Sequence, residues 1–300
     1  MKVEIGKNKN KDNGRKQNRL RGDAGFSESG AKAFGGHEFK KSLGQNFIRD
    51  TNLLRAIVQD SEISSADCVL EIGAGAGTLT GAICEKAKRV VAVEVDESLR
   101  EILQERENEN PNLRVVFKDI MKADMSEIHS ELMLAEGQKY KVVANLPYYI
   151  TTPILFRLLD DHRNISTISI MVQKEVAERI VSDETSGDYG VLTLMVKFFG
   201  EARIARMVGR QNFYPQPKVD SAIVRIDVKD GIDEELLKKY SKLVKCAFGA
   251  RRKTLANNLK RGYGKTSEEI EVLLSSIGKD LNVRGEDLSY EEFVSLAKII

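Results

Sequence analysis

A chain of 300 residues, 41% hydrophobic and 31% charged, has enough apolar material for one large or two moderate domains, and its net charge of +2 leaves any nucleic-acid affinity to local patches. Three scattered cysteines without a C-x-x-C pair exclude a disulfide framework and a structural zinc site and suit a reducing compartment, and His37, His129 and His162 cluster with nothing, so no metal is expected. No apolar run approaches the roughly 20 residues of a membrane span, and an N-terminus without an apolar signal core, carrying Glu4 and Asp12, points to a cytoplasmic protein with no membrane partner.

Residues 1–36 are rich in Lys, Asn, Gly and Arg and almost free of apolar periodicity, so they read as a disordered basic tail. Ser42 to Ile48 then leads into a helix. From about residue 66 the pattern is strand, turn, helix, repeated. Cys68–Ile72 is a buried strand and Thr78–Lys86 a helix. Val90–Val95 is a strand, followed by a charged helix near 97–108. Leu113–Phe117, Lys141–Ala144 and Ile165–Val172 are further strands, and Pro153–Leu159 is a helix with proline in its first turn. Continuous apolar strands alternating with amphipathic helices predict an α/β, Rossmann-like fold: a mainly parallel sheet covered on both faces. Ligands of such folds bind outside the carboxyl ends of the strands. Arg203–Val208 and Ala222–Val228 read as two more strands, joined by a stiff proline-bearing loop, Phe213 to Val219. After residue 228 only helices follow, near 234–248, 253–259, 267–277 and 290–300. The predicted organisation is therefore a tail at 1–36, an α/β domain at 37–228 and a small helical domain at 229–300.

The chemistry concentrates at the strand ends. Glu71-Ile72-Gly73-Ala74-Gly75-Ala76-Gly77-Thr78 closes the first strand and opens a helix, and glycines there let a backbone approach a ligand closely. A dinucleotide fingerprint needs a third glycine where Thr78 stands, which disfavours NAD. Glu94 ends the next strand, where a carboxylate can accept from both hydroxyls of a ribose. Asp119 follows the third strand and is either an acceptor for an adenine amino group or an Asx-turn residue. Asn145-Leu146-Pro147-Tyr148 follows the fourth. Amide, rigid proline and aromatic ring in that order can grip a flat base bearing an amino group; the alternative is a polar turn. Gln45 and Asn46 are amides that can close over a cofactor or merely enter a helix. Arg251, Arg252 and Lys253, with Lys245, Lys260 and Arg261 near them, form a basic cluster suited to phosphates or simply to solvent.

Taken in order, these pieces carry a resemblance. Gln45-Asn46-Phe47-Ile48, Glu71 to Thr80, Glu94, Asp119 and Asn145 to Tyr148 are followed by Phe213-x-Pro215-x-Pro217-Lys218-Val219-x-Ser221 and by Phe248 to Leu255. Gln173 to Ala177 and Tyr189-Gly190 through Gly200-Glu201-Ala202 match as well. Over roughly residues 38–300 the chain resembles the bacterial small-subunit ribosomal RNA adenine N6,N6-dimethyltransferases. Arg251 to Leu255 looks like these rather than the related large-subunit enzymes of the antibiotic-resistance type. Ile48 stands where leucine is commoner, and Asp119-Ile120-Met121 replaces the usual Asp-Ala-Leu.

The resemblance implies S-adenosylmethionine as cofactor, with Asn46 and Ile48 near its methionine part, Gly73 and Gly75 near its amino-acid tail, Glu94 on the ribose and Asp119 on the adenine. It implies that Asn145 borders the cofactor as well as the target, that Asn145 and Leu146 hold the target amino group, that Pro147 fixes that turn, and that Tyr148 and Phe213 sandwich the ring. Arg251, Arg252 and Lys253 would bind RNA. The partner implied is small-subunit ribosomal RNA within an assembling small subunit, met by a monomer. Two rivals stand beside this reading: an RNA-binding assembly factor that has kept the fold without the chemistry, and a large-subunit methyltransferase. A DNA adenine methyltransferase is disfavoured because Leu146 stands where those carry a second proline.

Overall fold

Apolar side chains alternate between two faces along the central strands, and both faces are buried. On β2 (Cys68–Ile72), Val69 joins one core cluster while Leu70 and Ile72 join the other. The period of two, carried across neighbouring strands, forces helices onto both sides of the sheet. The computed structural model describes residues 47–48 and 50–300. The expected tail, Gln45 and Asn46 lie outside the described residues.

Chain order runs β1 (Phe47–Ile48), α1 (Thr51–Asp60), β2, α2 (Thr78–Cys84), β3 (Arg89–Glu94), α3 (Arg100–Glu109), β4 (Leu113–Phe117), α4 (Met125–Leu132), β5 (Tyr140–Asn145), α5 (Thr151–Leu159) and β6 (Ile165–Gln173). Then come α6 (Lys174–Val181), α7 (Val191–Phe199), β7 (Gly200–Val208), β8 (Phe213–Tyr214) and β9 (Ser221–Val228). The chain closes with α8 (Glu234–Ala247), α9 (Leu255–Tyr263), α10 (Ser267–Ser275) and α11 (Tyr290–Ile299). Seven strands form one sheet in the order β4-β3-β2-β5-β6-β9-β7. The first five are parallel; β9 and β7 add on antiparallel. The chain winds outward from β2 to β4, then restarts at β5 on the other side of β2. The carboxyl ends of β2 and β5 therefore flank the point where winding reverses, which opens a crevice.

The mainly parallel sheet expected from the sequence is present, and so are the four late helices. Three helices escaped the sequence reading. Residues in α7 are nearly all buried, and a short, almost wholly apolar run does not by itself tell helix from strand. Helix α6 follows β6 with no turn signal between them. Helix α4 is short and is announced only by its Asp124 cap, which accepts from the Ser126 N–H at 2.9 Å. A two-residue ladder, Ile48 with Phe213 and Phe47 with Tyr214, also went unseen. It ties the upstream segment to the proline-bearing loop.

The described residues form one compact unit. The helices after residue 228 share a core with the sheet: Phe198 of α7 stacks on Tyr240 of α8 with centroids 4.5 Å apart, and the Tyr240 hydroxyl donates to the Leu194 carbonyl at 3.0 Å. Among the described residues no helix is long and apolar enough to cross a membrane, and no cluster of His, Cys, Asp or Glu could hold a metal ion.

Candidate functional site

One pocket opens at the carboxyl ends of β2, β3, β4 and β5. It gathers Ile48, Gly73, Gly75, Glu94, Asp119, Asn145, Leu146 and Pro147 from the sequence-predicted set. All but Ile48, which comes from the separate β1–β8 ladder, sit at or just past the end of a strand, because a parallel sheet delivers successive strand ends to one edge.

The glycine loop is the tightest part. Gly73 and Gly75 adopt φ of +80° and +57°, a region costly for residues with a Cβ. A Cβ on Gly73 would lie 3.2 Å from the Asn145 carbonyl oxygen, and one on Gly75 would lie 2.8 Å from the Phe47 ring. The Gly73 N–H donates to the Val93 carbonyl at 2.9 Å, which holds the loop against β3. Glycine is required at both places for the loop to run this close to its neighbours.

Glu94 is 5% exposed and is held by three backbone donors. Its Oε2 accepts from the Gly75 N–H at 2.8 Å, and its Oε1 from the N–H groups of Val95 and Asp96, both at 2.9 Å. A carboxylate offers about four acceptor positions. Three are occupied, so the geometry leaves one for a ligand hydroxyl. A grip on both hydroxyls of a ribose, as the sequence suggested, needs one backbone donor to give way. Asp119 makes the Asx turn, its Oδ1 accepting from the Met121 N–H at 3.0 Å, and the residue also lines the pocket.

Behind the glycine loop lies Glu71, fully buried on β2. Neither of its oxygens has a hydrogen-bond partner among the described residues. Burial pushes its carboxyl up from 4.5 to about 7; the neighbouring Thr80 hydroxyl eases this in part, and the charge of Glu94 adds to it.

The base-gripping residues are placed less simply. Asn145 is the last residue of β5, and Leu146 is buried behind it. Tyr148 begins a single 3-10 turn, Tyr148–Ile150, and its hydroxyl lies 2.6 Å from the Ser221 hydroxyl. Neither Tyr148 nor Phe213 lines the pocket, and Phe213 is only 2% exposed, packed in the core next to Ile48 through the β1–β8 ladder. In this structure Phe213 therefore offers no open stacking face.

Arg251, Arg252 and Lys253 lie in the turn between α8 and α9, all exposed. The turn is braced by the buried Asn258, whose amide donates to the carbonyls of Ala247 at 2.8 Å and Ala250 at 3.3 Å. None of the three forms an ion pair among the described residues. Pocket walls that carried no assigned role in the sequence reading include Val95, Ile120, Tyr149, Ile150 and Ile154. Val95 and Ile120 had a signal, since each directly follows a strand-end carboxylate. Ile150 and Ile154 are spaced by four at the start of α5.

Comparison with known proteins agrees with this architecture. A sequence profile of the family described as ribosomal RNA adenine dimethylase matches residues 36–300. Ribosomal RNA small subunit methyltransferase A of Bacillus mycoides (strain KBAB4) is 43% identical over 273 residues, 88% of this chain and 92% of that protein. Among solved structures, a dimethyladenosine transferase from Plasmodium falciparum has a TM-score of 0.70 at 26% identity, over 83% of this chain and 95% of its own. The 23S rRNA methyltransferase ErmE has a TM-score of 0.65 at 28% identity, over 84% of this chain and 98% of its own.

Proposed function

This chain belongs to the ribosomal RNA adenine dimethylase family, and we infer that it is an S-adenosylmethionine-dependent enzyme that dimethylates N6 of adenines in small-subunit ribosomal RNA. The observation that carries the reading is the meeting, in one pocket, of the glycine loop, Glu94, Asp119 and Asn145.

The residues present fit the cofactor. Gly73 and Gly75 let the loop run close against Asn145 and Phe47 at the pocket wall, where its backbone can meet an amino-acid tail. Glu94 keeps one acceptor position for a ribose hydroxyl, and Asp119 can accept from an adenine amino group beside the apolar Ile120 and Ile154. Ile48 lines the same cavity, and Asn46 precedes it in sequence. When bound, the cofactor supplies an electrophilic methyl group on a sulfonium.

The protein's part is positioning. Adenine N6 cannot be reached inside a duplex, so the target base is flipped or single-stranded. The Asn145 side chain and the Leu146 carbonyl accept from the amino group, turning its lone pair toward the methyl group and away from the ring. Pro147 fixes the turn that aims both acceptors. Tyr148 offers a face to the ring; Phe213 can supply the second only if the β1–β8 ladder shifts. Holding nucleophile and methyl group in line supplies most of the acceleration. After the first transfer the pocket must readmit the monomethylated base.

Arg251, Arg252 and Lys253 take phosphates of the RNA, and the helices after residue 228 form the RNA-binding part. The substrate is RNA within an assembling small subunit, met by a cytoplasmic monomer. Incubation of unmethylated small subunits with labelled S-adenosylmethionine, followed by nucleoside analysis, tests the reading. Dimethyladenosine in small-subunit RNA is expected. Absence of product would favour an assembly factor, and product only in large-subunit RNA the resistance-type activity.

A further inference from the structure

The two consecutive tyrosines after Pro147 stand in opposite situations. Tyr148 is half-buried, and its hydroxyl is bonded at 2.6 Å to Ser221, itself fully buried on β9. Its ring cannot swing without breaking that bond. Tyr149 lines the pocket and yet is 67% exposed, with no hydrogen bond on its hydroxyl among the described residues. The inner walls differ: Ile72, Val93, Ile120 and Ile154 are all buried. A ligand filling the interior is thus enclosed by aliphatic side chains and leaves the Tyr149 ring largely in water. An exposed ring that also lines the cleft, four residues from Asn145, is placed to meet what enters there.

We propose that Tyr149 is a stacking platform for the unpaired nucleobase adjacent to the target adenine in the RNA, and so a residue that decides which RNA conformations are accepted. The proposal rests on the RNA-methylating reading above. Extruding one base strips its neighbour of a stacking partner, and an exposed ring at the mouth replaces that partner. Such stacking tolerates any base, because every base has a π-face. Tyr149 therefore recognises an unstacked strand rather than a sequence, while the Asn145–Leu146 pair selects the amino group.

The test compares wild type, Tyr149→Ala and Tyr149→Phe in methyl transfer to unmethylated small subunits, with S-adenosylhomocysteine affinity measured in parallel by calorimetry. Tyr149→Ala is expected to raise KM for the subunits about tenfold, to change kcat far less, and to leave S-adenosylhomocysteine affinity within about twofold. Tyr149→Phe is expected to restore KM, because stacking needs the ring and not the hydroxyl. An unchanged KM in Tyr149→Ala overturns the proposal. So does a loss of S-adenosylhomocysteine affinity, which assigns the ring to the cofactor, or a fall in kcat alone, which places it on the target base. A wild-type protein that methylates no RNA overturns the functional reading instead, and the same assay reports it.

Discussion

The two halves of the proposed site, the cofactor pocket and the adenine-gripping surface beside it, are built differently. The cofactor half rises from the ends of three adjacent parallel strands, β2, β3 and β4, and backbone donors hold it in shape: three amides fix Glu94, and the Val93 carbonyl fixes the glycine loop. The adenine half is assembled from segments far apart in the chain. Tyr148 is pinned by Ser221 some seventy residues on, and Phe213 is closed into a two-residue ladder with Ile48. A sheet edge can present acceptors before any ligand arrives. The surface we propose for the flipped base is instead held by contacts between distant segments, and those contacts must shift for Phe213 to meet a ring.

The sharpest break in this comparison is at Asn145, where the halves meet. Asn145→Ala should cut methyl transfer by about 100-fold or more, the scale of lost positioning, while S-adenosylhomocysteine still binds and the melting curve stays two-state. Substantial residual transfer would remove Asn145 from the chemistry.

Glu71 tests the foundation of the cofactor half. Its folded carboxyl titrates near 7 against 4.5 when unfolded. The folded state therefore binds the extra proton between those values, and the associated stability is complete below about 4.5 and lost as pH rises to 7. The loss is on the order of 3 kcal/mol. Denaturant titrations of Glu71→Gln across pH 4–8 should show this fall flattened; an unchanged slope would mean that Glu71 does not titrate there.

Gly75→Ala should weaken S-adenosylhomocysteine binding and cost about 1–2 kcal/mol of stability, since its Cβ would meet Phe47 at a positive φ. Calorimetry and thermal melts check both. The smallest effect belongs to the adenine half. Ser221→Ala frees the Tyr148 ring and should lower methyl transfer by only a few-fold, about the net worth of one hydrogen bond, with cofactor affinity unchanged and Ser221→Thr restoring the rate.

Much of the cofactor half was legible in the sequence, because strand ends, glycines and single carboxylates are local signals. Cys68 to Ile72 reads as a strand from five consecutive residues, and Glu94 and Asp119 announce themselves by where apolar runs stop. What the sequence hides depends on contacts between distant segments. Nothing near Phe213 tells that Ile48 will cover it, nothing near Tyr148 names Ser221, and the two tyrosines differ only once α5 and β9 are in place. The Gly75 amide on Glu94 was hidden likewise, since it depends on how the glycine loop folds back over β3, whereas the Val95 and Asp96 amides are near neighbours in sequence.

Calorimetric titration of RNA-free protein with S-adenosylhomocysteine, and separately with NAD, tests the preformed cofactor half most directly. The account predicts saturable binding of S-adenosylhomocysteine at one site without RNA, and none of NAD. Binding that appears only after RNA is added, or binding of NAD instead, would contradict it.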